Sequence, residues 1–334
     1  MFFVVGLGSM GRRRVRCLLA NGVPPEEILG FDRRPDRCAE AKERHGISVA
    51  DQAEQMGRAE VEAVFVSVWP SFHVEYCLMA AMAGKHWFCE VPLELSSSGL
   101  DQLRRVTRDR KLVGAVGSQM IWHPASEYLA RWLSEDVTGG LVGAWGTCTS
   151  YFPTWHPWED YREFYVSDKA SGGANIDMIG HEFQWLVWLL DSPVAAVNAR
   201  ASRRSDQELK PGSYDSYEII AEFASGLQIS MHFDGVNRGL ERGVWLAGNA
   251  GTVHWDLRGP KASRFDRERN AWVAEGPEQF EYEQAYVREV GHFIECVRGR
   301  AEWPIAFERA INVVKLIAAV EQSVSRFGGR VFVE

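Results

Sequence analysis

The first residues with a spacing suited to chemistry are three glycines near the start of the chain. The segment Gly6-Leu7-Gly8-Ser9-Met10-Gly11 follows a short apolar run and opens a helical pattern. In that setting the glycines permit a tight turn, close approach of a phosphate to the backbone, and close packing of the helix on a strand. The helix N-terminus adds N–H groups that favour a pyrophosphate. The pattern therefore predicts a dinucleotide-binding turn that includes Ser9 and Met10.

An acidic residue follows the glycine turn at the spacing that is typical of dinucleotide-binding domains. Asp32 ends the second predicted strand, about twenty residues after Gly11, and there it can accept hydrogen bonds from the adenosine ribose hydroxyls of NAD. Arg33 and Arg34 follow directly, and a guanidinium at this place suits the 2′-phosphate of NADP. The sequence favours NAD as the cofactor and leaves NADP open.

A second pair of residues is suited to proton transfer. Asp177 and His181 are four apart in a predicted helix over residues 176–190, so they share one helix face. An imidazole beside a carboxylate can exchange a proton near neutral pH. We predict that His181 is the acid/base residue and that Asp177 supports it. The alternative is an aspartate near the helix start and a histidine satisfied in the core.

The segment 151–165, YFPTWHPWEDYREFY, crowds aromatic rings around polar residues. Such rings stack on the apolar faces of sugars, and Arg162 can hold a carboxylate or phosphate with two hydrogen bonds. His156, Tyr161 and Arg162 are therefore candidate substrate contacts. The alternative is a loop that buries its rings under its own helix or at a subunit interface, and both interpretations stay open.

The surrounding elements divide the chain in two. Short strands alternate with helices up to about residue 118, including a helix predicted over 96–110 with serine caps at its start. This alternation predicts a Rossmann domain over 1–118, with a doubly wound parallel sheet. Strand patterns at 217–223, 228–233 and 243–247, flanked by helices, predict an α+β domain over 119–334 with a mostly antiparallel open sheet.

Composition narrows the function further. A chain of 334 residues suits two domains, and the net charge of -8 disfavours nucleic acids and anionic membranes as partners. No apolar run reaches the ~20 residues that span a bilayer, and no secretory segment precedes the first strand, which predicts a cytoplasmic protein. The six cysteines include no CxxC pair, so no metal site is predicted.

Motifs in both halves resemble those of one family. Residues 67–94 contain Pro70, His73, Ala83-Gly84-Lys85-His86 and Cys89-Glu90-Val91-Pro92, and residues 172–181 read GGANIDMIGH. Together they resemble the Gfo/Idh/MocA oxidoreductases, with their AGKH, CEKP and GGxxxDxGxH motifs. The resemblance covers essentially the whole chain.

The resemblance implies hydride transfer between a nicotinamide and a hydroxyl or keto carbon of a sugar-like substrate, at a site between the two domains. It implies that Trp69, His73 and Glu90 contact the cofactor, and that Trp122 and His123 contact the substrate. It also implies a homodimer or homotetramer, because the open sheet of the family often makes subunit contacts. The aromatic segment resembles a branch found in surface-sugar and nonulosonic-acid pathways, which indicates an acidic or nucleotide-linked sugar as one possibility.

Three positions depart from the family pattern. Val91 replaces the lysine that polarises the reacting oxygen, Ile121 stands where arginine is frequent, and Gln184 replaces an acidic residue. Lys169, and less readily Lys85, are candidate substitutes for the missing lysine. Two other functions stay open: a catalytically silent NAD(P)-binding sensor or regulator, and a redox-neutral enzyme that retains NAD.

Overall fold

The computed structural model describes residues 1–155, 157, 159–256 and 259–334. The elements of the first third alternate between strand and helix: β1 (Phe2–Val5), α1 (Ser9–Ala20), β2 (Ile28–Phe31), α2 (Pro35–His45), β3 (Ser48–Val49), β4 (Ala63–Val66), α3 (His73–Met82), β5 (His86–Cys89), α4 (Leu100–Asp109) and β6 (Gly114–Val116). The strands are short and apolar, as buried parallel strands require.

The later elements are richer in long strands. They are α5 (Pro124–Ser134), β7 (Leu141–Thr149), α6 (Ala174–Leu189), β8 (Val194–Ser202), β9 (Ser216–Phe223), β10 (Gln228–Asp234), β11 (Arg242–Gly248), β12 (Thr252–Asp256), β13 (Ala262–Asp266), β14 (Ala271–Glu275), α7 (Glu283–Val297), α8 (Phe307–Ser325) and β15 (Val331–Phe332). Among the described residues, no helix combines the length and apolar character needed to cross a bilayer.

The chain forms two compact units that differ from the sequence-based division in one respect. Unit 1 holds Met1–Gln119 and Glu283–Ile311, and unit 2 holds Met120–Tyr282 and Asn312–Glu334. Helix α7 and the start of α8, which the sequence assigned to a second domain over 119–334, therefore belong to unit 1. The reason is packing, because the Phe293 ring of α7 lies 5.3 Å from the Phe65 ring and 5.4 Å from the Phe88 ring in the core of unit 1.

Unit 1 contains the doubly wound parallel sheet that the sequence predicts. Its six strands run in the order β3-β2-β1-β4-β5-β6, and every neighbouring pair is parallel. The chain moves outward from β1 in one direction and then from β4 in the other, so the strand order reverses between these two strands. Ligands of such sheets bind outside the carboxyl ends of the strands at this reversal.

Unit 2 contains a nine-stranded sheet in the order β14-β13-β12-β11-β7-β10-β9-β8-β15. Only the β10–β7 pair is parallel, and the other pairs are antiparallel. This confirms the mostly antiparallel second sheet, and β9, β10 and β11 confirm the three strands predicted there. Strands alternate between buried and more exposed residues, which leaves one face of the sheet for helices such as α5 and α6.

The helix expected over 96–110 is shorter than predicted. It begins at Leu100, its N-cap is Gly99 with φ of +77°, and no side chain caps it. The prediction that a serine caps this helix was wrong. The Ser96 hydroxyl instead accepts a hydrogen bond from the N–H of Ser98 and so stabilises a local turn before the helix. Gly99 reaches the left-handed conformation that ends this turn without a steric penalty.

Candidate functional site

The glycine turn of unit 1 admits no side chain at two of its positions. A Cβ atom at Gly6 would lie 2.4 Å from the carbonyl oxygen of Ser67, and one at Gly11 would lie 1.7 Å from the carbonyl oxygen of Gly6. Gly6 also has φ of +85°, which favours glycine. Glycine at these two positions therefore allows α1 to begin close to the ends of β1 and β4.

The start of α1 is suited to an anion. Its N-cap is Gly8, no side chain of the described chain caps it, and its first turn holds no acidic residue. The partial positive charge of the helix end is therefore not neutralised by the chain itself. A Cβ atom at Gly8 would lie 3.3 Å from Nη1 of Arg37, so a guanidinium stands beside the turn. Ser9, Met10 and the glycines fit a pyrophosphate at this place.

Asp32 lies beside the same turn, at the end of β2. Its Oδ2 accepts a hydrogen bond from the N–H of Leu7 at 2.7 Å, and its Oδ1 accepts one from the N–H of Arg34 at 2.9 Å. Nη1 of Arg37 lies 3.6 Å from Oδ2. The carboxylate is thus held in place by its own loop beside the glycine turn.

The two arginines after Asp32 have different surroundings. The Arg34 guanidinium donates to both carboxylate oxygens of Asp36, whereas the Arg33 guanidinium lies 5.4 Å from the centroid of the Phe72 ring. Of the arginines in this segment, Arg37 lies beside Asp32, whereas Arg34 is directed to the carboxylate of Asp36. The sequence pattern did not single out Arg37, because only the first turn of α2 brings it back to Asp32.

Glu90 follows β5 and is held by α1. Its Oε1 and Oε2 accept hydrogen bonds from Nε and Nη2 of Arg14 at 2.6 and 2.7 Å, and Oε1 also accepts one from the Ser67 hydroxyl at 3.2 Å. A bidentate pair of this kind fixes both groups in orientation as well as in place. The carboxylate therefore stands at the ends of β4 and β5.

The other two expected cofactor contacts differ in exposure. Trp69, three residues after the end of β4, is among the exposed large apolar side chains. His73 is buried, and its ring nitrogens lie 2.7 Å from the carbonyl oxygen of Pro92 and 3.0 Å from that of Val68. Burial lowers the pKa of His73, although the two carbonyl contacts oppose this shift. Its ring joins the loops that follow β4 and β5.

In unit 2, the aspartate and histidine of the glycine motif share the accessible side of α6. Thirteen of its sixteen residues are buried, and Asp177, His181 and Trp188 are not. Nε2 of His181 lies 3.7 Å from Oδ1 of Asp177, and the His181 side chain is 27% exposed. Gly173, with φ of +68°, starts the helix. The arrangement leaves the imidazole partly exposed with a carboxylate next to it.

Tyr165 completes this group, and the sequence pattern did not reveal it. Its hydroxyl donates to Oδ2 of Asp177 at 3.4 Å. Burial and the Asp177 carboxylate raise the pKa of Tyr165, so the hydroxyl keeps its proton. One carboxylate oxygen of Asp177 therefore faces the His181 imidazole, and the other accepts a hydrogen bond from the neutral Tyr165 hydroxyl. Tyr165 lies in the aromatic segment, where nothing in the spacing distinguishes it from the other rings.

The three positions that depart from the family pattern are all buried. They are Val91, Ile121 and Gln184. Of the two candidate substitutes for the missing lysine, Lys85 donates to the carbonyl oxygens of Arg58 and Val61. Lys169 forms an ion pair with Glu321. Both ammonium groups thus have structural partners within their own unit.

The described residues expected to contact substrate belong to unit 2 and differ in burial and partners. Trp122 is half-buried, whereas His123 is buried and its Nδ1 accepts the N–H of Ala125 at 3.3 Å as the N-cap of α5. The Tyr161 hydroxyl accepts the N–H of Glu208 at 3.0 Å. His156 lies outside the described residues.

Arg162, the expected anion clamp, already has two carboxylate partners. It donates to Asp160 through Nε and Nη2 and to Glu208 through Nη1 at 3.1 Å. Its hydrogen bonds lower the pKa of Asp160 to about 2. An anionic substrate would therefore compete with carboxylates that are in place.

Comparisons with known proteins identify the family. A family model described as "Oxidoreductase family, NAD-binding Rossmann fold" matches residues 1–118, and one for the GFO/IDH/MocA C-terminal domain matches residues 127–254. The chain belongs to the GFO/IDH/MocA oxidoreductase family, and its N-terminal part is an NAD-binding Rossmann fold. The resemblance stated from the motifs is confirmed.

Individual relatives are similar over different lengths. Myo-inositol 2-dehydrogenase of Thermotoga maritima is 30% identical over 67% of this chain, and the match spans 65% of that relative. Inositol 2-dehydrogenase of Rhizobium meliloti is 24% identical over 97% of this chain and 96% of its own length. Among solved structures, levoglucosan dehydrogenase in complex with NADH and levoglucosan has a TM-score of 0.87 at 19% identity, over 99% of this chain and 98% of that one.

Proposed function

We propose that the protein is an NAD-dependent dehydrogenase that transfers hydride between the nicotinamide and a hydroxyl or keto carbon of a sugar or cyclitol. The observation that carries this proposal is the accessible Asp177–His181 pair on the otherwise buried helix α6. The named substrates of the relatives, inositol and levoglucosan, are polyhydroxylated rings and support the substrate class.

His181 is the proton-exchanging group in this proposal. NAD supplies the hydride chemistry when bound. The imidazole of His181 takes the hydroxyl proton during oxidation and returns it during reduction, and the Asp177 carboxylate stabilises the protonated ring. The Tyr165 hydroxyl holds Asp177 in place through its hydrogen bond. The side chain of Val91 has no exchangeable proton, so we assign the acid/base role to the imidazole of His181.

We favour a neutral substrate over an acidic or nucleotide-linked one. The reason is the Arg162 guanidinium, which is satisfied by Asp160 and Glu208. Trp122 and Tyr161, both half-buried, are proposed to offer ring faces to the substrate. A sugar or cyclitol with several hydroxyls needs such faces and hydrogen-bonding groups, but no fixed counter-charge.

The test compares His181→Asn with His232→Asn, a partly exposed histidine on β10 of the same unit. Both variants and the wild type are titrated with NADH by nicotinamide fluorescence and then assayed on inositols, levoglucosan and keto-sugars. We expect His181→Asn to lower kcat about 10²- to 10⁴-fold with unchanged NADH affinity, the range of general acid–base catalysis. The control should keep wild-type turnover.

Two outcomes would contradict the proposal in different ways. Wild-type turnover by His181→Asn would remove this residue from the acid/base role. Tight NADH binding by the wild type with no turnover on any member of the panel would favour a catalytically silent NAD-binding sensor. The burial of Val91, Ile121 and Gln184 is the observation that supports this second function.

We also propose that the protein is a homo-oligomer, a dimer or a tetramer, formed through the nine-stranded sheet. One register row crosses this sheet through Ile220, Ser230, Trp145, Trp245 and His254. Trp145 and Trp245 are stacked with their planes 3° apart, and Trp145 is 47% exposed. Ile220 is also exposed, whereas Trp245 and His254 are partly exposed, and large apolar side chains on such a surface are typical of an interface.

A further inference from the structure

A buried cluster of three charges lies at the core of unit 1, and the proposed reaction does not use all of it. Arg14 of α1 is 1% exposed and binds Glu90 on one side. On the other side, its Nη1 donates to Oε2 of Glu289 of α7 at 2.6 Å, and the Glu289 side chain has no exposed surface. Buried ions are expensive, so a cluster of this kind requires a reason.

The hydrogen bonds indicate that both carboxylates are ionised. Each oxygen of Glu90 accepts from Arg14, and Oε1 of Glu289 accepts the N–H of Ser118 at 2.5 Å. All four carboxylate oxygens thus face N–H or O–H donors, which suits two anions on one guanidinium. The cluster therefore carries a net charge of minus one. Burial and the neighbouring Glu90 carboxylate raise the pKa of Glu289, whereas Arg14 and the hydrogen bond from the N–H of Ser118 oppose this shift.

The cluster is placed on one side of the sheet reversal. Ser67, Glu90 and Ser118, which contact it, follow the carboxyl ends of β4, β5 and β6. Asp32 follows β2, on the other side of the glycine turn. A dinucleotide with its adenosine ribose at Asp32 and its pyrophosphate at the turn therefore extends its nicotinamide half toward β4, β5 and β6.

We propose that the Arg14–Glu90–Glu289 cluster makes the protein bind NAD⁺ more tightly than it would without the excess negative charge, and so lowers the reduction potential of the bound cofactor. The oxidised nicotinamide ring is a cation and the reduced ring is neutral, so a fixed negative charge stabilises the oxidised form selectively. Glu289 acts through Arg14 and is a positioning residue. The proposal rests on NAD binding and is independent of the substrate.

The test measures the dissociation constants of NAD⁺ and NADH without substrate, by calorimetry and by fluorescence. Glu289→Gln removes one negative charge with little change of shape. We expect its ratio of NAD⁺ to NADH dissociation constants to rise about tenfold, the order expected for one partly screened charge. Tenfold corresponds to a potential about 30 mV more positive for a two-electron couple.

A matched control uses the same two helices. Glu283 of α7 pairs with Arg13 and Arg16 of α1 at 2.9 and 2.7 Å, but at the surface. Glu283→Gln should leave the ratio unchanged within about twofold, because solvent screens this pair. A shift in the control as large as that in Glu289→Gln would overturn the proposal.

Arg14→Gln provides a second, opposite test, should the first variant not fold. It raises the net negative charge of the cluster, so the NAD⁺ to NADH ratio should fall by a similar factor. A purely structural role predicts instead that both dissociation constants rise together in every variant. Equal losses for NAD⁺ and NADH would therefore refute the redox role, even if the wild type proved to have no dehydrogenase activity.

Discussion

Asp32 is the residue on which the choice between NAD and NADP depends, and its surroundings combine two signals. The carboxylate favours ribose hydroxyls, yet Nη1 of Arg37 lies 3.6 Å from it and also beside Gly8. We expect a guanidinium in this position to attract the pyrophosphate and, in NADP, the 2′-phosphate. We therefore expect Arg37, and not Arg34, to determine how well NADP is tolerated.

Arg37→Ala should weaken both reduced cofactors, and NADPH more than NADH. We expect the preference for NADH to grow about tenfold, since one charge-assisted contact to a phosphate is lost. Fluorescence titration with each cofactor measures this preference. Arg34→Ala is the control and should leave it unchanged, because Arg34 is paired with Asp36. Equal effects of the two substitutions would show that Arg37 has no special role.

Single residues were predictable where their partners are close in sequence. The turn Gly6–Gly11 and the pair Asp177–His181 depend on spacings within one or two helical turns, and the structure places them as those spacings require. Tyr165, Arg14 and Glu289 were not found. The contacts of Arg14 with Glu90 and Glu289 join residues far apart in the chain, and Tyr165 is one of several rings in the aromatic segment that the spacing does not distinguish.

At the scale of elements, the sequence predicted the short apolar strands of the first third but missed several strands of the second sheet. Strands β12 to β14 have five residues each, and their alternation is too brief to distinguish from loops. Strand β8 has nine, but its small and polar residues give a weak apolar pattern. The start of α4 was misplaced because a serine turn and a helix cap use the same residue types.

One cross-strand contact in the second sheet should make stability depend on pH. Nδ1 of His232 on β10 lies 2.6 Å from Oε1 of Glu218 on β9, and Nε2 lies 2.9 Å from Oδ2 of Asp234. Partial burial lowers the pKa of His232, but the two carboxylates outweigh it and raise the pKa above the usual 6.5. The protonated ring therefore stabilises the fold below about pH 6.5, and this contribution is lost as pH rises through the raised pKa.

His232→Gln should lower the free energy of unfolding by up to about 1 kcal/mol near pH 6, and by less near pH 9, since the ring is partly exposed. Urea denaturation at the two pH values measures the difference. His45→Gln provides the contrast, because partial burial, aided by nearby arginines, lowers the pKa of His45. A larger loss for His232→Gln near pH 9 than near pH 6 would contradict the assignment.

At the scale of the whole molecule, the exposed aromatic row of the nine-stranded sheet should control assembly. We expect Trp145→Ser to shift the protein toward monomers in sedimentation velocity at micromolar concentration, because the substitution removes a large apolar contact from the row. Phe327→Ser is the control, since Phe327 is 82% exposed but lies after α8, outside the row. A monomeric wild type, or an unchanged Trp145→Ser assembly, would refute this interface.

The composition of unit 1 from two distant chain segments has a consequence for biosynthesis. A ribosome releases the glycine turn and all six parallel strands early, but α7 emerges only after the strands of the antiparallel sheet up to β14. Until then Phe65 and Phe88 lack the Phe293 ring, and Arg14 lacks one of its two carboxylates. Unit 1 therefore begins to be translated first but acquires the last part of its core late. Until then, apolar side chains of this core are exposed, and chaperones can bind them.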